Sequence, residues 1–459
     1  MHSNIQVRIA RPLIVLLVVI CSLVSAASAE WKEKMLYSFQ GGPYGHDGDE
    51  PAGGVVFDKA GNVYGATWYG GSSGCGTAYR LAPPAQKITR WTETLLHVFN
   101  GPDGCYPSGG LIADGAGNFY GVTGEGGIIS CLHVGCGAVY ELSPPTQKGG
   151  AWTETVRYRF QGGQDGVFPY GALVFDSVGN LYGATLLGGG KGTTCNPGYG
   201  GCGTVFELSP PKAKDGKWTE KVLHRFAGIA SGKNYGDGAE PNGGLVLDSE
   251  GALYGTTQIG GAHVCGSDGC GTAFALTPPT KKGEAWREKI LHRFGLAGND
   301  GYFPIDSPLI VDAKGSLYGT TVSGGSGSCV AGCGTVYQLT PAKSGVWIEA
   351  LLYSFQGAAD GEAPVAPVTL DGSGNLYGTA GGDGGIDSWG TVFKLAPPAE
   401  NAPEWSLTVL HSFTGPPDGA SPAAPLMFRA GAVFSTTTQG GTGRSCKGNC
   451  GTLFKIWPQ

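Results

Sequence analysis

The chain has 459 residues, 84 of them glycine, with only 14% charged side chains and a formal net charge of −6. So glycine-rich and sparsely charged a composition excludes a helical protein, and a weakly acidic surface without basic runs gives no electrostatic footprint for nucleic acid or anionic lipid. Short runs of Val, Tyr, Phe and Thr broken by Gly, Pro and Asp predict instead an all-β protein with many tight turns.

The chain opens with Arg8 and Arg11, an apolar run from Leu13 to Val24, and Ala27-Ser28-Ala29. That is the order of a secretory signal with an A-x-A cleavage site, so residues 1–29 are expected to be removed before Glu30. The rival, an uncleaved anchor, falls short of the roughly 20 apolar residues a spanning helix needs. A secreted or periplasmic protein is expected, free of the membrane after cleavage and monomeric, with residues 30–459 forming one domain.

From Trp31 onward one phrase sets the rhythm. It reads Gly374-Asn-Leu-Tyr-Gly378 at its cleanest and returns at Gly61, Gly117, Gly179, Gly251, Gly315 and, worn, at Gly431-Ala-Val-Phe-Ser435. A spacing of about 60 residues is the mark of a repeat architecture. Each unit reads as four strands, in the third unit Gly171–Asp176, Asn180–Thr185, Gly203–Leu208 and Trp218–Phe226. The stretch Asp176-Ser-Val-Gly-Asn180 supplies the side-chain bonds and positive φ of a hairpin turn. Four-stranded antiparallel units in this number predict a seven-bladed β-propeller. An open solenoid is the alternative, and the chain ends favour a ring. Trp31–Phe39 has fourth-strand character, while the last unit stops after a third strand, Gly451–Ile456. The ring would close by the N-terminal strand completing the last blade. The fourth strands carry most of the charge, as a guarded outer edge should.

These residues together resemble the extracellular tandem-repeat family called GloVer, with units of a proline, GGLV-x-D, GNLYGTT, GG, GTVF-x-L and LYSF-x-G-x-DG. The resemblance covers residues 31 to 459 and implies an exported or surface-displayed protein; it carries over no reaction and no catalytic residue.

Strand parity puts the second-to-third loops on the same face as the links between units. Those loops differ in length, from Trp68–Cys75 to Leu186–Cys202, whereas the third-to-fourth turns such as Leu81 to Trp91 and Leu208 to Trp218 do not. Variable loops on a rigid scaffold are where binding resides. The same face holds Cys131/Cys136, Cys195/Cys202, Cys265/Cys270, Cys329/Cys333 and Cys446/Cys450, with Cys75 and Cys105 on adjacent loops. In an exported chain these spacings point to six disulfides rather than metal sites. No cofactor or metal is expected. Unit six has Trp389 where its sisters have Cys.

Asp47, Asp103, Asp165, Asp237, Asp300, Asp360 and Asp418 each sit in an Asp-Gly pair just before a proline. They read as turn formers or, alternatively, as a ring of acids at the channel mouth. His97, His224, His292 and His411 share one repeat position with Tyr37, Tyr158 and Tyr353, which suggests packing rather than chemistry. His46, His133 and His263 are single loop histidines. The expected function is binding of an extracellular glycan or protein without catalysis, through Trp68, Tyr69, Tyr199 and Trp389. Two alternatives stay open. One is an exported polysaccharide hydrolase or lyase using acids such as Asp47, Glu125 and Asp383, and the other is a structural envelope or matrix protein.

Overall fold

The computed structural model describes residues 30–459 apart from 43–46, 86–87, 129–130, 132, 191–194, 196–199, 214–215, 229–235, 267, 297, 358, 382–388, 401, 444 and 447–449. The expected leader, with its residues 1–29, lies outside the described residues. Among the described residues the chain is all-β, its helical content a single 3-10 turn at His263–Cys265. Among those residues no helix is long and apolar enough to cross a membrane.

Unit three folds as Val167–Phe175, Leu181–Leu187, Thr204–Ser209 and Thr219–Arg225, an antiparallel meander in chain order. The same four-stranded order recurs within 48–98, 105–159, 246–293, 310–354 and 369–412. The last unit has Met427–Arg429, Ala432–Thr437 and Thr452–Pro458, and its fourth strand is Trp31–Ser38 from the other end of the chain. Trp31 lies opposite Pro458 and Ser38 opposite Thr452. In units one to three the first strands reach back into the link, so that Val167 already pairs with Leu187, whereas in units four to seven they shrink to short pairs such as Val246–Leu247 and Ile310–Val311. A register break between Tyr170 and Val174 separates that outer pairing from the inner one.

The hairpin after the first strand is fixed by one aspartate. Asp176 accepts the backbone N–H of Val178 and Asn180, the Asn180 amide and the Tyr182 hydroxyl. Burial works against its charge, but these donors outweigh it and hold the carboxyl below its ordinary value. Asp58, Asp114, Asp248, Asp312 and Asp371 repeat the device. Unit seven lacks the aspartate, and Arg429 reaches across to the backbone oxygen of Asp58 in unit one.

The glycine after the repeated tyrosine has a packing cause. A Cβ on Gly65 would lie 2.4 Å from the Tyr79 hydroxyl, and on Gly378 2.5 Å from the Phe393 ring, because the far end of the third-strand aromatic sits against it. That aromatic meets the phenylalanine that ends the preceding fourth strand. The pair recurs between successive units from Phe39–Tyr79 and Phe99–Tyr140 through Phe355–Phe393 to Phe413–Phe454, with ring centroids near 5 Å, such as 5.0 Å for the first. Phe39 and Tyr79 are essentially sealed from solvent. Burying one such ring stabilises the interface by about 1.5–3 kcal/mol. The repeated tyrosines add a second contact, Tyr64 with Trp152 and Tyr182 with Trp286, each to the fourth-strand tryptophan of the next unit.

One further detail orients each unit. The fourth strand carries a bulge: His97 lies opposite Ala78 and Leu95 opposite Tyr79, so the intervening Leu96 has no partner. Neighbouring positions on the third strand face opposite sides. The bulge therefore turns His97 toward unit two while Glu93, two residues before Leu95, faces unit seven. Equivalent register shifts occur in the other units.

Candidate functional site

The first strands crowd together at one place. Gly53, Gly109, Gly171, Gly243, Pro308, Pro367 and Pro425, one from each unit, line a cavity of about 260 Å³. The crowding explains the glycines, since a Cβ on Gly109 would lie 2.1 Å from the carbonyl carbon of Gly171. The side chains that reach the cavity include Trp68, Tyr170, Glu50, Asn242 and Asp306; among the described residues lining it there is no Lys, Arg or His.

Aromatic rings continue outward from it. The Trp68 ring lies 5.6 Å from Tyr170 and 6.3 Å from Tyr69, and Tyr69 lies 5.2 Å from Tyr106. Tyr69 is 40% exposed. The acids around these rings are poorly solvated. Burial alone pushes Asp306 up to about 7, and its Oδ1 has no hydrogen-bond partner. Burial, with Asp49 nearby, raises Glu50, and burial raises Glu125. Burial, then Glu50, Tyr106, Glu125 and Asp49, raises the Tyr69 hydroxyl, so these groups form one electrostatic neighbourhood.

A set of residues that pattern reading passes over rings the same face. Glu50, Tyr106, Phe168, Glu240, Phe303, Ala363 and Ser421 all have φ between 49° and 60°, a left-handed conformation unusual for residues other than glycine. Each stands immediately before a proline, and each donates its backbone N–H to a carbonyl on the second-to-third loop of the preceding unit, Tyr106 to Cys75 and Ser421 to Trp389. The backbone is one geometry repeated, while the side chain changes from unit to unit. The usable sequence signal was a variable residue before an invariantly placed proline.

Six disulfides join Cys75 to Cys105, Cys131 to Cys136, Cys195 to Cys202, Cys265 to Cys270, Cys329 to Cys333 and Cys446 to Cys450. Trp389 is not a free aromatic of the binding face. It packs on the core of units six and seven, against Gly415, as the Cys329–Cys333 bridge packs against Gly357. Its indole fills the space that a bridge fills elsewhere. Tyr199, Asp383 and His46 lie outside the described residues. His263 begins the 3-10 turn, and His133 is exposed on its loop.

The seven Asp-Gly acids do not meet at the channel mouth, since none lines the cavity. Each is drawn instead to the end of a fourth strand. Asp47 takes the Tyr37 hydroxyl and the Gln40 N–H, Asp165 those of Tyr158 and Gln161, and Asp360 those of Tyr353 and Gln356. Asp103, Asp237, Asp300 and Asp418 face His97, His224, His292 and His411 at 2.8, 3.3, 3.1 and 3.4 Å. The histidine or tyrosine and the Asp-Gly turn are thus one structural unit, each supplying the other's polar partner.

The Gloeobacter/Verrucomicrobia repeat family matches residues 22–192 and 190–454. No curated protein matches the chain. Among solved structures the fold is similar to a polysaccharide lyase described as an ulvan lyase, at 8% identity over 92% of this chain and 95% of that one, with a TM-score of 0.50. It is also similar to the polysaccharide lyase Uly1, at 10% identity over 93% and 99% with a TM-score of 0.49. A third is the PQQ-bound aldose sugar dehydrogenase of Streptomyces coelicolor, at 12% over 94% and 99% with a TM-score of 0.41. At 8% identity the likeness to the ulvan lyase is one of fold alone, a propeller-like all-β architecture. The chain belongs to the Gloeobacter/Verrucomicrobia repeat family.

Proposed function

We propose that this family member is an exported, monomeric, seven-bladed β-propeller, its ring completed by Trp31–Ser38, that binds a neutral extracellular glycan without turning it over. The reading of the ring is supported by the pairing of that strand with Thr452–Pro458 and by the aromatic contact that recurs from one unit to the next. The reading of the function rests on one observation, the chain of rings Tyr170, Trp68, Tyr69 and Tyr106 leading out of the cavity. Sugar C–H faces stack on such rings, and hydroxyls donate to carboxylates like Glu50. A uronate or sulfated chain would need Arg or Lys to meet its charge, and the lining offers acids instead.

A second reading has its own observation. Asp306, held protonated up to about pH 7 by burial, is suited to act as a general acid, with Glu50 as the second carboxylate of a hydrolase. One experiment addresses both: neutral and anionic glycans are presented to the purified chain, and the soluble ones are analysed for cleavage. Binding to neutral glycans that falls at least tenfold in Trp68→Ala, with no cleavage products, is the expected result. Cleavage abolished by Asp306→Asn would replace the first reading with the second, and a preference for uronates would sink the neutral-glycan assignment.

A further inference from the structure

The outer strands of neighbouring units enclose a polar notch that the glycan reading leaves unused. Between units one and two it holds His97, Asp103 and Glu154; between units six and seven it holds His411, Asp418 and Glu33. In each, one imidazole nitrogen and one oxygen from each carboxylate lie within 4.8 Å of one another. Two other groups of that spacing contain disulfide cysteines, which have no thiolate to offer. Both notches leave polar atoms unanswered. Glu154 Oε1 is buried without a hydrogen-bond partner in the first and Glu33 Oε1 in the second, as are Glu93 and Glu220 Oε1 at boundaries that carry tyrosine, so what sets these two notches apart is the imidazole within 4.8 Å of both carboxylates. Buried polar atoms without partners are rare in folded proteins and call for an explanation.

We propose that these two notches are binding sites for a divalent transition metal, of which zinc is the best match. One imidazole and two carboxylates are the nitrogen and oxygen donors that zinc takes, with a water completing four-coordination. Calcium and magnesium prefer oxygen donors alone and would not use the histidine. Tetrahedral ligands about 2.0–2.1 Å from zinc stand about 3.3 Å apart. The His411 to Asp418 distance of 3.4 Å already matches, and the glutamate has to approach by rotation of its flexible side chain. The bulge is what assembles the set, since it sends the histidine forward and the glutamate backward across each boundary. At the second site the ion would tie the N-terminal strand, through Glu33, to unit six.

The protein supplies its own control. Three notches carry tyrosine in place of histidine, at Tyr37, Tyr158 and Tyr353, and a neutral phenol does not ligate zinc in this way. His97→Tyr and His411→Tyr therefore install an arrangement the fold already accepts. The untagged chain is stripped with chelator, dialysed against micromolar zinc, and its zinc content per chain measured beside its thermal midpoint. The expected result is that zinc raises the midpoint, that each His→Tyr replacement lowers the bound zinc by one per chain, and that the double variant loses two. Glu154→Gln should weaken the first site at least tenfold and leave the second intact. A wild-type chain that retains no zinc, or a double variant that retains the full load while its midpoint in chelator matches wild type, overturns the proposal. Displacement of the zinc by millimolar calcium would overturn the assignment of the metal.

Discussion

Glu93 offers the sharpest test of how the outer strands meet. It projects from the fourth strand of unit one toward Tyr37 and Asp47. Burial, then the neighbouring Asp47 carboxylate, push its carboxyl up to about 9. An unfolded glutamate titrates near 4.3, so between those values the folded chain holds a proton that the unfolded chain has released. The group's folded pKa is raised, so its contribution is fully present below the unfolded value and is lost as pH rises toward the folded one. The slope is about 1.4 kcal/mol per pH unit, which over the roughly three units from the unfolded value to neutrality makes about 4 kcal/mol an upper bound by neutral pH, reduced where solvent reaches the group. Glu93→Gln keeps the shape and removes the titration. In a large domain about 1 kcal/mol moves the midpoint by about 2 °C, so the variant should melt about 3–6 °C above wild type at pH 8 and level with it at pH 4. Thermal unfolding at the two pH values reads this directly. A variant that melts below wild type at pH 8 would show that Glu93 works as an ionised partner, and the account of the notch would fail.

Two further outcomes test the framework. Gly378→Ala places a Cβ 2.5 Å from Phe393 inside a packed interface, so it should destabilise by about 1–3 kcal/mol through overpacking, read as a lower urea midpoint with unchanged slope. Asp176→Ala removes the acceptor of four hydrogen bonds and should destabilise by about 2–3 kcal/mol at pH 7. Because the folded pKa of Asp176 is depressed, that difference should shrink as pH falls below about 4; a gap independent of pH would refute the charge-based account of the turn.

The features legible in the sequence are those set by local spacing. The unit length, the strand types, the Asp-to-Asn turn and the cysteines within single loops all follow from residues a few positions apart. The offset between Trp31–Ser38 and the last unit was legible too, because strand character shows in composition. The notches were not. His97 and Asp103 are close in the chain and were visible separately, but Glu154 comes from the next unit, and the bulge at Leu96 that turns His97 toward it leaves no mark on the alternation of apolar residues. Trp389 was misread for a related reason: an aromatic in a variable loop looks exposed until Gly415 and Phe413 are seen beneath it. Trp68 and Tyr69 were legible as aromatics of the variable-loop face, whereas their partner Tyr170 lies just before the expected Gly171–Asp176 strand and joins the first strand only in the structure.

The left-handed residues bear on function more than any of these. A non-glycine residue held at such φ costs about 1–3 kcal/mol, and the chain has 84 glycines with which it relieves that strain elsewhere. Yet at the seven positions before the prolines it keeps Glu50, Tyr106, Phe168, Glu240, Phe303, Ala363 and Ser421. If only the turn mattered, glycine would be the stable choice at all seven. Side chains kept at that cost, on one repeated backbone and different in each unit, fit the recognition surface proposed above, apart from Phe168, which packs on the core between units two and three. Glu50, which both belongs to this set and lines the cavity, ties the strained ring to the aromatic path from Tyr170 to Tyr106. The strained set and the aromatic path share Tyr106, so the two features meet on the face proposed to bind.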